Sequence, residues 1–244
     1  MKYTLITACL NSIKTIEKTI ESILIQKHLP IQHIFVDGGS NDGTLEYLLD
    51  VEIKFKELGV NFLLIKQITK GGIYEAWNMS LKKLDNDSDY IFILNSDDWY
   101  LNNTIEFVSN FFNKNNSTEV LCGQSLNYFD NKKTISKNKS LKLFPFLMPI
   151  NHPACFMKKV VYDKVGKFNK DYRVSGDYDF LYRCFNSNIN FEFTKIVLVK
   201  RLMGGFAESN KILARQETLK IGLINSRISI FPKIAFLLRK LIGN

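Results

Sequence analysis

The fold can be predicted from one stretch of the chain, Tyr90-Ile91-Phe92-Ile93-Leu94-Asn95-Ser96-Asp97-Asp98-Trp99. Its apolar first half is typical of a buried strand, and the strand ends at a polar step that carries two adjacent carboxylates. In an open α/β sheet, ligands bind outside the carboxyl ends of the strands. Two ionised carboxylates side by side repel each other unless a cation or a donor-rich ligand joins them. The stretch therefore predicts a site for a divalent metal and a phosphorylated ligand.

Asp97 and Asp98 also have a structural interpretation. Helix-forming sequence resumes after Asn102 and Asn103, and acidic residues are favoured where a helix begins. On this stretch alone, capping of the next helix and ligand binding remain equally good alternatives.

The first half of the chain alternates between strand-like and helix-like segments. The alternation of strand and helix predicts a parallel, Rossmann-like sheet flanked by helices. Several of these strands end in loops that carry Asp or Asn, on the side where ligands bind, and this coincidence favours the ligand site over capping. The predicted strands lie at residues 2–8, 31–36, 60–65 and 90–94.

The loop after the second strand, Asp37-Gly38-Gly39-Ser40-Asn41-Asp42-Gly43-Thr44, is rich in glycine and ends at a helix start. Such a loop lets the backbone approach a ligand closely. It does not match the GxGxxG dinucleotide fingerprint.

Composition indicates a folded globular protein with anionic partners. Of the 244 residues, 45% are hydrophobic and 13% aromatic, which is not the composition of a disordered chain. Lys and Arg number 33 against 24 acidic residues, a net charge of +9. This surplus suits phosphate-bearing ligands, nucleic acid or an anionic membrane surface.

Cysteine usage and the N-terminus predict a cytoplasmic protein. The four cysteines lie far apart in apolar surroundings and form no CxxC pair, which is typical of buried free thiols in a reducing compartment. The sequence after Met1 runs straight into a strand without the apolar core of a signal peptide. No run reaches the ~18 apolar residues that a membrane span needs.

The second half lacks the regular alternation of the first. We predict strands over 119–129, 154–157 and 191–202, a loop over 130–142, and an ion pair between Asp179 and Arg183 at helical spacing. The apolar segment 143–150 contains two prolines, so we do not expect a regular helix there. It is either a core-packing connection or a loop that contacts a hydrophobic acceptor or the membrane. No linker marks a boundary, and we predict a single composite domain.

The C-terminal tail predicts a basic amphipathic helix. Residues 218–244 contain five Lys or Arg and no acidic residue. Such a helix either lies in a membrane interface or docks on the domain, and the charge slightly favours the membrane. The apolar residues that fall on one helical face are Ile230, Phe231, Ile234, Leu237, Leu238 and Leu241.

Several motifs, taken together and in order, resemble the inverting family-two glycosyltransferases of the GT-A fold. The similarity covers residues 3 to about 206 and is closest to bacterial enzymes that build O-antigen, capsule or exopolysaccharide repeats. The motifs that carry it are Thr7-x-x-x-Asn11, "VDGGSNDGT" (Val36 to Thr44), "GGIYEAWN" (Gly71 to Asn78), "LNSDDW" (Leu94 to Trp99), "NHPACF" (Asn151 to Phe156) and "GDYDFLYR" (Gly176 to Arg183).

The resemblance implies a role for each matching residue. Asp97 would contact the ribose, Asp98 would hold Mn²⁺ or Mg²⁺ on the diphosphate, and Asp177 would be the general base. The other residues that it places at the nucleotide-sugar site are Thr7, Asn11, Asp37, Asp42 and Asn78.

The same resemblance divides the chain and implies its partners. Residues 1–206 would form the transferase domain, with a nucleotide-sugar half (1–117) and an acceptor half (118–206), followed by C-terminal helices with the basic tail (207–244). We expect a UDP-sugar donor and a saccharide acceptor linked to undecaprenyl diphosphate. The protein would act as a peripheral enzyme at the cytoplasmic face of the inner membrane.

Two departures from the family pattern concern this site. Asn95 stands where the family often has Asp, which leaves one carboxylate fewer for the metal, and Gly176 replaces the Glu of the family's "ED" motif. Neither removes the ribose, metal or base carboxylate.

Two other functions compete with this prediction. A sugar nucleotidyltransferase also uses a Rossmann-like sheet and a carboxylate-bound metal, but the loop after Ala8 lacks its glycines and basic residues. A basic nucleic-acid-binding module would group its positive charge with aromatic platforms, which this sequence does not do. We expect no nucleic-acid partner.

Overall fold

The protein folds around a nine-stranded mixed sheet with helices packed against it. The computed structural model describes residues 1–69, 71–129 and 132–242. The strands are β1 (Tyr3–Cys9), β2 (Gln32–Asp37), β3 (Asn61–Lys66), β4 (Tyr90–Ile93), β5 (Asp98–Tyr100), β6 (Val120–Phe129), β7 (Lys132–Ser136), β8 (Cys155–Lys158) and β9 (Phe191–Leu202). The α-helices are α1 (Ile13–Leu24), α2 (Thr44–Glu57), α3 (Gly72–Ser80), α4 (Thr104–Lys114), α5 (Lys159–Val165), α6 (Gly176–Asn186), α7 (Phe206–Ser209), α8 (Lys211–Asn225) and α9 (Ile230–Ile242).

The first half of the sheet is parallel, in the order β3-β2-β1-β4, as the alternation of strand and helix predicted. The inner strands β1, β2 and β4 are almost entirely buried, because helices cover both sides of a parallel sheet, while the edge strand β3 is largely half-buried. Parallel pairing brings the carboxyl ends of β1, β2 and β4 to one edge. The loops that the sequence singled out therefore share that edge.

The second half of the sheet mixes strand directions. β8 lies antiparallel to β4 and to β6, while β9 runs parallel to β6 and antiparallel to β5. Every predicted strand is present, and the mixed α/β sheet with flanking helices is confirmed. Both halves of the predicted domain contribute to one sheet through the β4–β8 pair.

The predicted loop over 130–142 is wrong for part of its length. Lys132–Ser136 forms β7, which pairs antiparallel with the end of β6. The strand is short, polar and mostly exposed, so it has no apolar alternation that would reveal it in the sequence. Asp130 and Asn131 lie outside the described residues.

The segment 143–150 packs into the core. Phe144 is buried and stacks on Tyr182 at a ring-centroid distance of 5.0 Å, and Ile150 is buried as well. This packing supports the core-packing interpretation of the segment.

Helix α1 fastens the segment between β4 and α4 through buried polar side chains. The Thr19 hydroxyl lies 3.0 Å from the carbonyl oxygen of Ser96 and 2.8 Å from that of Asp98. Ser22 Oγ accepts the Tyr100 N–H at 3.1 Å. Since buried polar groups are stable only when they are hydrogen-bonded, these side chains fix the backbone that they contact.

The C-terminal helix α9 packs on the domain with part of its surface and leaves another part exposed. One side of α9 docks on the domain: Phe231 packs on Phe146 with 5.1 Å between ring centroids, Arg239 donates to the Phe146 carbonyl, and Ala235 is buried. The opposite side leaves large apolar side chains exposed. We call these the apolar face of α9: Ile230, Ile234, Leu237, Leu238 and Leu241.

Phe231, which the sequence assigned to the apolar face, belongs to the docked side instead. Among the described residues, no helix is both long and apolar enough to cross a membrane.

The contacts of Thr19 predict a measurable loss of stability in Thr19→Val. Valine keeps the shape of threonine but leaves two buried carbonyl oxygens without this donor, which costs about 1–3 kcal/mol. Urea unfolding should show this decrease in the free energy of unfolding. Thr218→Val is the matched control, because the half-buried Thr218 hydroxyl donates to the Ala214 carbonyl of its own helix, at 2.7 Å. It should change stability by no more than about 0.5 kcal/mol. Equal losses in the two variants would contradict the fastening role of Thr19.

Candidate active site

The loops after β1 and β2 interlock at the carboxyl edge of the sheet. Asn11 Oδ1 accepts the Asn41 N–H at 3.0 Å, and the Asn11 N–H donates to Ser40 Oγ at 2.9 Å. Asn11 has a φ of 51°, a left-handed conformation that asparagine tolerates better than most residues. Asn11 therefore shapes this edge and remains exposed beside it.

Asp42 ties the same two loops to their helices. One carboxylate oxygen accepts the Ile13 N–H at 3.1 Å, and the other accepts the Thr44 N–H at 3.1 Å and the Thr44 hydroxyl at 2.6 Å. Partial desolvation would raise the pKa of Asp42, but the bonds from Thr44 and Ile13 outweigh it and lower the pKa. The geometry gives Asp42 the role of a loop anchor.

Asp37 stands at the end of β2 and is only 2% exposed. Its Oδ2 accepts the N–H groups of Gly39 and Ser40, each at 3.0 Å, and its Oδ1 accepts the Ser40 hydroxyl at 2.5 Å. Cys9 lies beside it, and burial together with the Asp37 charge raises the pKa of this thiol to about 12. Asp37 thus holds the glycine-rich loop in its turn at the sheet edge.

Thr7 and Asn78 make structural contacts instead of facing the sheet edge freely. The buried Thr7 hydroxyl lies 3.0 Å from His33 Nε2, and burial lowers the pKa of His33 to about 3. The Asn78 side chain donates to the Phe168 carbonyl at 2.8 Å and accepts the Phe168 N–H at 3.0 Å. A direct ligand contact by either residue stays a prediction.

Asp97 and Asp98 lie at the turn between β4 and β5, so they do not cap a helix. Asp98 begins β5, and α4 starts only at Thr104 after Asn103. This corrects the capping alternative. The Asp97 backbone carbonyl accepts the Leu202 N–H at 3.4 Å and ties the turn to the end of β9.

The Asp98 carboxylate is only 1% exposed. Its Oδ2 accepts from Asn95 Nδ2 at 3.2 Å, and its N–H donates to the Asn95 carbonyl at 3.1 Å. Arg201 of β9 stands opposite Asp98 in the β5–β9 pairing. The turn therefore holds a buried carboxylate with an amide on one side and a cationic residue on the neighbouring strand.

Asp177 lies in the first turn of α6, where a carboxylate is favoured by the helix dipole. Its Oδ1 accepts the Tyr178 N–H at 2.9 Å. The Tyr74 hydroxyl lies 2.7 Å from the Val174 carbonyl and 3.3 Å from Asp177 Oδ1, so its proton is shared between the two. Burial, together with the Asp177 charge, raises the pKa of Tyr74 well above its usual value.

His152 connects the surroundings of the two carboxylates. It is buried and stacks on Trp77 with 5.1 Å between ring centroids. Burial lowers the pKa of His152, the Asp177 charge opposes this shift, and the Arg201 charge adds to it. Asp177 and Arg201 therefore both act on the same buried imidazole, and Arg201 stands opposite Asp98 in the β5–β9 pairing.

Neither Arg201 nor Tyr74 is among the site residues predicted from the sequence. Tyr74 lies inside the motif "GGIYEAWN", so its place in that motif could have indicated a role for it. Arg201 lies near the end of a long strand without a motif, and only the strand pairing places it beside Asp98.

The predicted ion pair between Asp179 and Arg183 is confirmed, with 2.9 Å between Oδ2 and Nε. Asp179 is buried and serves the packing of α6. It therefore contributes to structure, and Asp177 is the residue of that helix that lies beside Tyr74.

Oxygen atoms at the turn suit a hard divalent cation. No cluster of three or more His, Cys, Asp or Glu able to hold a metal occurs among the residues that the structure describes. Asn95 Oδ1 is buried and accepts no hydrogen bond from the described part of the chain, and it sits on the same turn as the Asp98 carboxylate. Mg²⁺ is commonly held by one or two protein groups together with phosphate and water. The residues present fit that arrangement.

Solved structures share the fold over nearly the whole chain. TarS of Staphylococcus aureus in complex with UDP-GlcNAc superposes with a TM-score of 0.71 at 17% identity, covering 97% of this chain and 70% of that chain. Against the longer TarS structure, this chain spans 43% of its length. The mannosyltransferase PcManGT of Pyrobaculum calidifontis, in complex with GDP-Man and Mn²⁺, gives 0.69 at 13% identity, over 100% of this chain and 76% of that one.

Relatives by sequence are named as glycosyltransferases. The PGL/p-HBAD biosynthesis glycosyltransferase of Mycobacterium bovis is 27% identical over 185 residues, or 76% of this chain and 70% of that protein. An uncharacterised glycosyltransferase of Rickettsia prowazekii is 28% identical over 222 residues, or 85% of this chain and 65% of that protein.

The model of the family "Glycosyl transferase family 2" matches residues 4–169, which include the strands and loops that carry Asp37, Asp97 and Asp98. This match favours a sugar transferase over the nucleotidyltransferase and nucleic-acid-binding alternatives. The chain belongs to glycosyl transferase family 2, and it is a glycosyltransferase with the GT-A fold.

Proposed function

We propose that this protein is a metal-dependent, inverting hexosyltransferase that moves a sugar from a nucleotide-sugar to a saccharide acceptor. The observation that carries the proposal is that Asp177 and Arg201 both act on the buried His152, and that Arg201 stands opposite Asp98 in the β5–β9 pairing. Asp98 is the first residue of β5, just after the parallel strand β4, and Asp177 lies in the first turn of α6, between β8 and β9. A donor bound between them would meet one carboxylate at its diphosphate and the other at its sugar.

The donor would bind at the edge formed by the loops after β1, β2 and β4, within residues 1–117. Asp37 and Asn11 define the loops that would surround the base, and Asp97 would contact the ribose. Thr7 and Asp42 support this edge through their contacts with His33 and Ile13, and Asn78 joins α3 to the backbone of Phe168. The TarS complexes with UDP and UDP-GlcNAc support a UDP-sugar as the donor.

Asp98 and Asn95 would hold a Mn²⁺ or Mg²⁺ ion against the diphosphate. The ion would offset the negative charge that develops on the departing nucleoside diphosphate. Mn²⁺ in the PcManGT complex supports the choice of metal. Asn95 supplies a neutral oxygen where the family often supplies a carboxylate. Of these two proposed ligands, Asp98 would then be the negatively charged one.

Asp177 would act as the general base. Its carboxylate takes the proton of the acceptor hydroxyl while that oxygen forms a bond to the anomeric carbon. The bond from the anomeric carbon to the phosphate oxygen breaks at the same time, and the nucleoside diphosphate leaves with the electron pair. Because attack and departure occur on opposite faces of the sugar, the anomeric configuration inverts.

The acceptor would be a saccharide linked to undecaprenyl diphosphate, bound by residues 118–206 at the cytoplasmic face of the inner membrane, in surface-polysaccharide biosynthesis. The apolar face of α9 supports this location: Leu237 is 57% and Leu241 82% exposed. The exposed Lys233 and Lys240 flank that face, and no acidic residue follows Glu217. An exposed apolar face with flanking cations is complementary to an anionic lipid surface.

The metal assignment predicts that chelation abolishes sugar transfer and that added Mn²⁺ or Mg²⁺ restores it. Asp98→Asn should lower kcat by on the order of 10²-fold or more, because the variant loses the charge that holds the metal on the diphosphate. Release of nucleoside diphosphate from a panel of nucleotide-sugars measures both effects. Asp87→Asn is the matched control, since Asp87 is exposed and pairs with the exposed Lys2. Full activity of Asp98→Asn, or of chelated enzyme, would refute the metal site.

The base assignment predicts that Asp177→Asn folds and binds nucleotide but transfers sugar about 10²- to 10⁴-fold more slowly. The amide keeps the size of the side chain and cannot take the acceptor proton. Calorimetry gives the nucleotide affinity, and transfer assays give kcat. Asp171→Asn, an exposed aspartate on the preceding segment, should behave as wild type. Normal turnover of Asp177→Asn would exclude it as the base.

The membrane assignment predicts that the protein sediments with vesicles that contain anionic lipid, and less so as the salt concentration rises. The double variant Ile234→Ser/Leu238→Ser should bind these vesicles at least about tenfold more weakly, because it removes apolar area that enters the interface.

Ile53→Ser is the matched control, since Ile53 is an exposed isoleucine on another helix. Unchanged binding of the double variant would contradict the assignment. Self-association of the wild-type protein that the double variant abolishes would assign the face to a second copy instead.

A further inference from the structure

A buried glutamate far along the chain holds the backbone that leads to Asp177. Glu217, on α8, is only 7% exposed. Its Oε1 accepts the Arg173 N–H at 2.7 Å, and its Oε2 accepts the N–H groups of Val174 and Ser175 at 2.9 and 2.8 Å. A carboxylate that accepts several short backbone bonds makes charge-assisted contacts, which are among the stronger hydrogen bonds in proteins.

The same backbone is held from its other side by α3. The Tyr74 hydroxyl lies 2.7 Å from the Val174 carbonyl. The Tyr74 ring packs so closely on Gly176 that a Cβ at this position would lie 2.8 Å from ring carbons. This contact explains why glycine stands where the family's "ED" motif has glutamate. Residues 173–176 are thus clamped between Glu217 and Tyr74, and Asp177 follows directly.

Glu217 does not reach the region between the carboxylates itself, because its two oxygens are turned to the backbone of residues 173–175. It can act on the reaction only through the position of the segment it binds. A base must lie within hydrogen-bond reach of the proton that it takes, and a displacement of about 1 Å can cost on the order of 10²-fold in rate.

We propose that Glu217 is a positioning residue for the Asp177 carboxylate. By binding the N–H groups of residues 173–175 it fixes the start of α6, and with it the distance from Asp177 to the acceptor hydroxyl. This inference rests on the proposed role of Asp177 as the base. It also assigns a task to α8, which lies beyond the residues 4–169 matched by the family model.

The test compares Glu217→Gln with Glu119→Gln in the full chain. In Glu217→Gln, one carboxylate oxygen becomes an NH₂ group, which cannot accept a hydrogen bond from a peptide N–H. The backbone of residues 173–175 should therefore move away from the side chain at position 217. Glu119 is the matched control: its carboxylate also accepts a backbone N–H, from Asn190 at 3.0 Å, and pairs with Lys164, and neither partner is among the proposed donor, metal or base residues. Measurements are kcat, KM for donor and acceptor, nucleotide affinity and the melting temperature, at a temperature where both variants are folded.

For Glu217→Gln we expect kcat to fall about 10- to 100-fold, with KM for the donor and nucleotide affinity within about twofold of wild type. Glu119→Gln should keep its kcat even if its melting temperature falls. A lower melting temperature of Glu217→Gln with unchanged kcat would overturn the inference. Absence of any sugar transfer by the wild-type enzyme would instead refute the proposed function.

Two further variants keep the test decisive if Glu217→Gln does not fold. Glu217→Asp retains the charge but withdraws it by one methylene, and its kcat should lie between those of wild type and Asp177→Asn. In an Asp177→Asn background, Glu217→Asp should lower the single-turnover rate no further, because residues that act through one another are non-additive. A wild-type kcat in Glu217→Asp, or a full additional loss in the double variant, would contradict positioning through Asp177.

Discussion

The burial of the Asp98 carboxylate at the turn between β4 and β5 is the constraint on which the candidate site depends. A carboxylate with 1% exposure is stable only where donors or cations surround it. Asn95 donates to it, and Arg201 stands opposite it on β9. Thr19 and Ser22 of α1 hold the backbone on either side of it. The position of Asp98 is therefore fixed by the parallel half, by α1 and by the mixed half together.

The proposed reaction centre would need residues from both halves of the chain. The parallel strands can only bring loops to one edge of the sheet, and those loops supply Asp37, Asp97 and Asp98. Asp177 comes from α6, which follows the strand pair β4–β8 that joins the halves. A donor held by the first group would present its sugar to the second. Neither half alone would form the proposed reaction centre.

The sequence predicted the long apolar strands and the alternation of the first half because burial leaves a clear pattern in such elements. It did not predict β5 or β7, since one has three residues and the other is polar and exposed. The motifs led to Asp97, Asp98 and Asp177, but contacts between distant residues leave no local signal. For this reason the clamp by Glu217 and the place of Arg201 appear only in the structure. The contacts of Asn78 with Phe168 and of Asp42 with Ile13 belong to the same class.

The tail shows how one pattern can serve two purposes. An apolar stripe predicts a helix that packs against an apolar surface. Helix α9 has apolar residues on both of its sides. Phe231 and Ala235 face the domain, while Leu237 and Leu241 face outward. Sequence alone could not divide the stripe, because the division depends on where α8 and the segment 143–150 stand.

A crystal structure with a UDP-sugar and Mn²⁺, in which anomalous scattering locates the metal, would test the roles of Asp98 and Asp177 together. We expect a Mn²⁺ peak bound by Asp98 and the diphosphate, with the anomeric carbon between this metal and the Asp177 carboxylate. A metal or nucleotide bound at another edge of the sheet would contradict it. So would an Asp177 carboxylate on the same side of the sugar as the diphosphate.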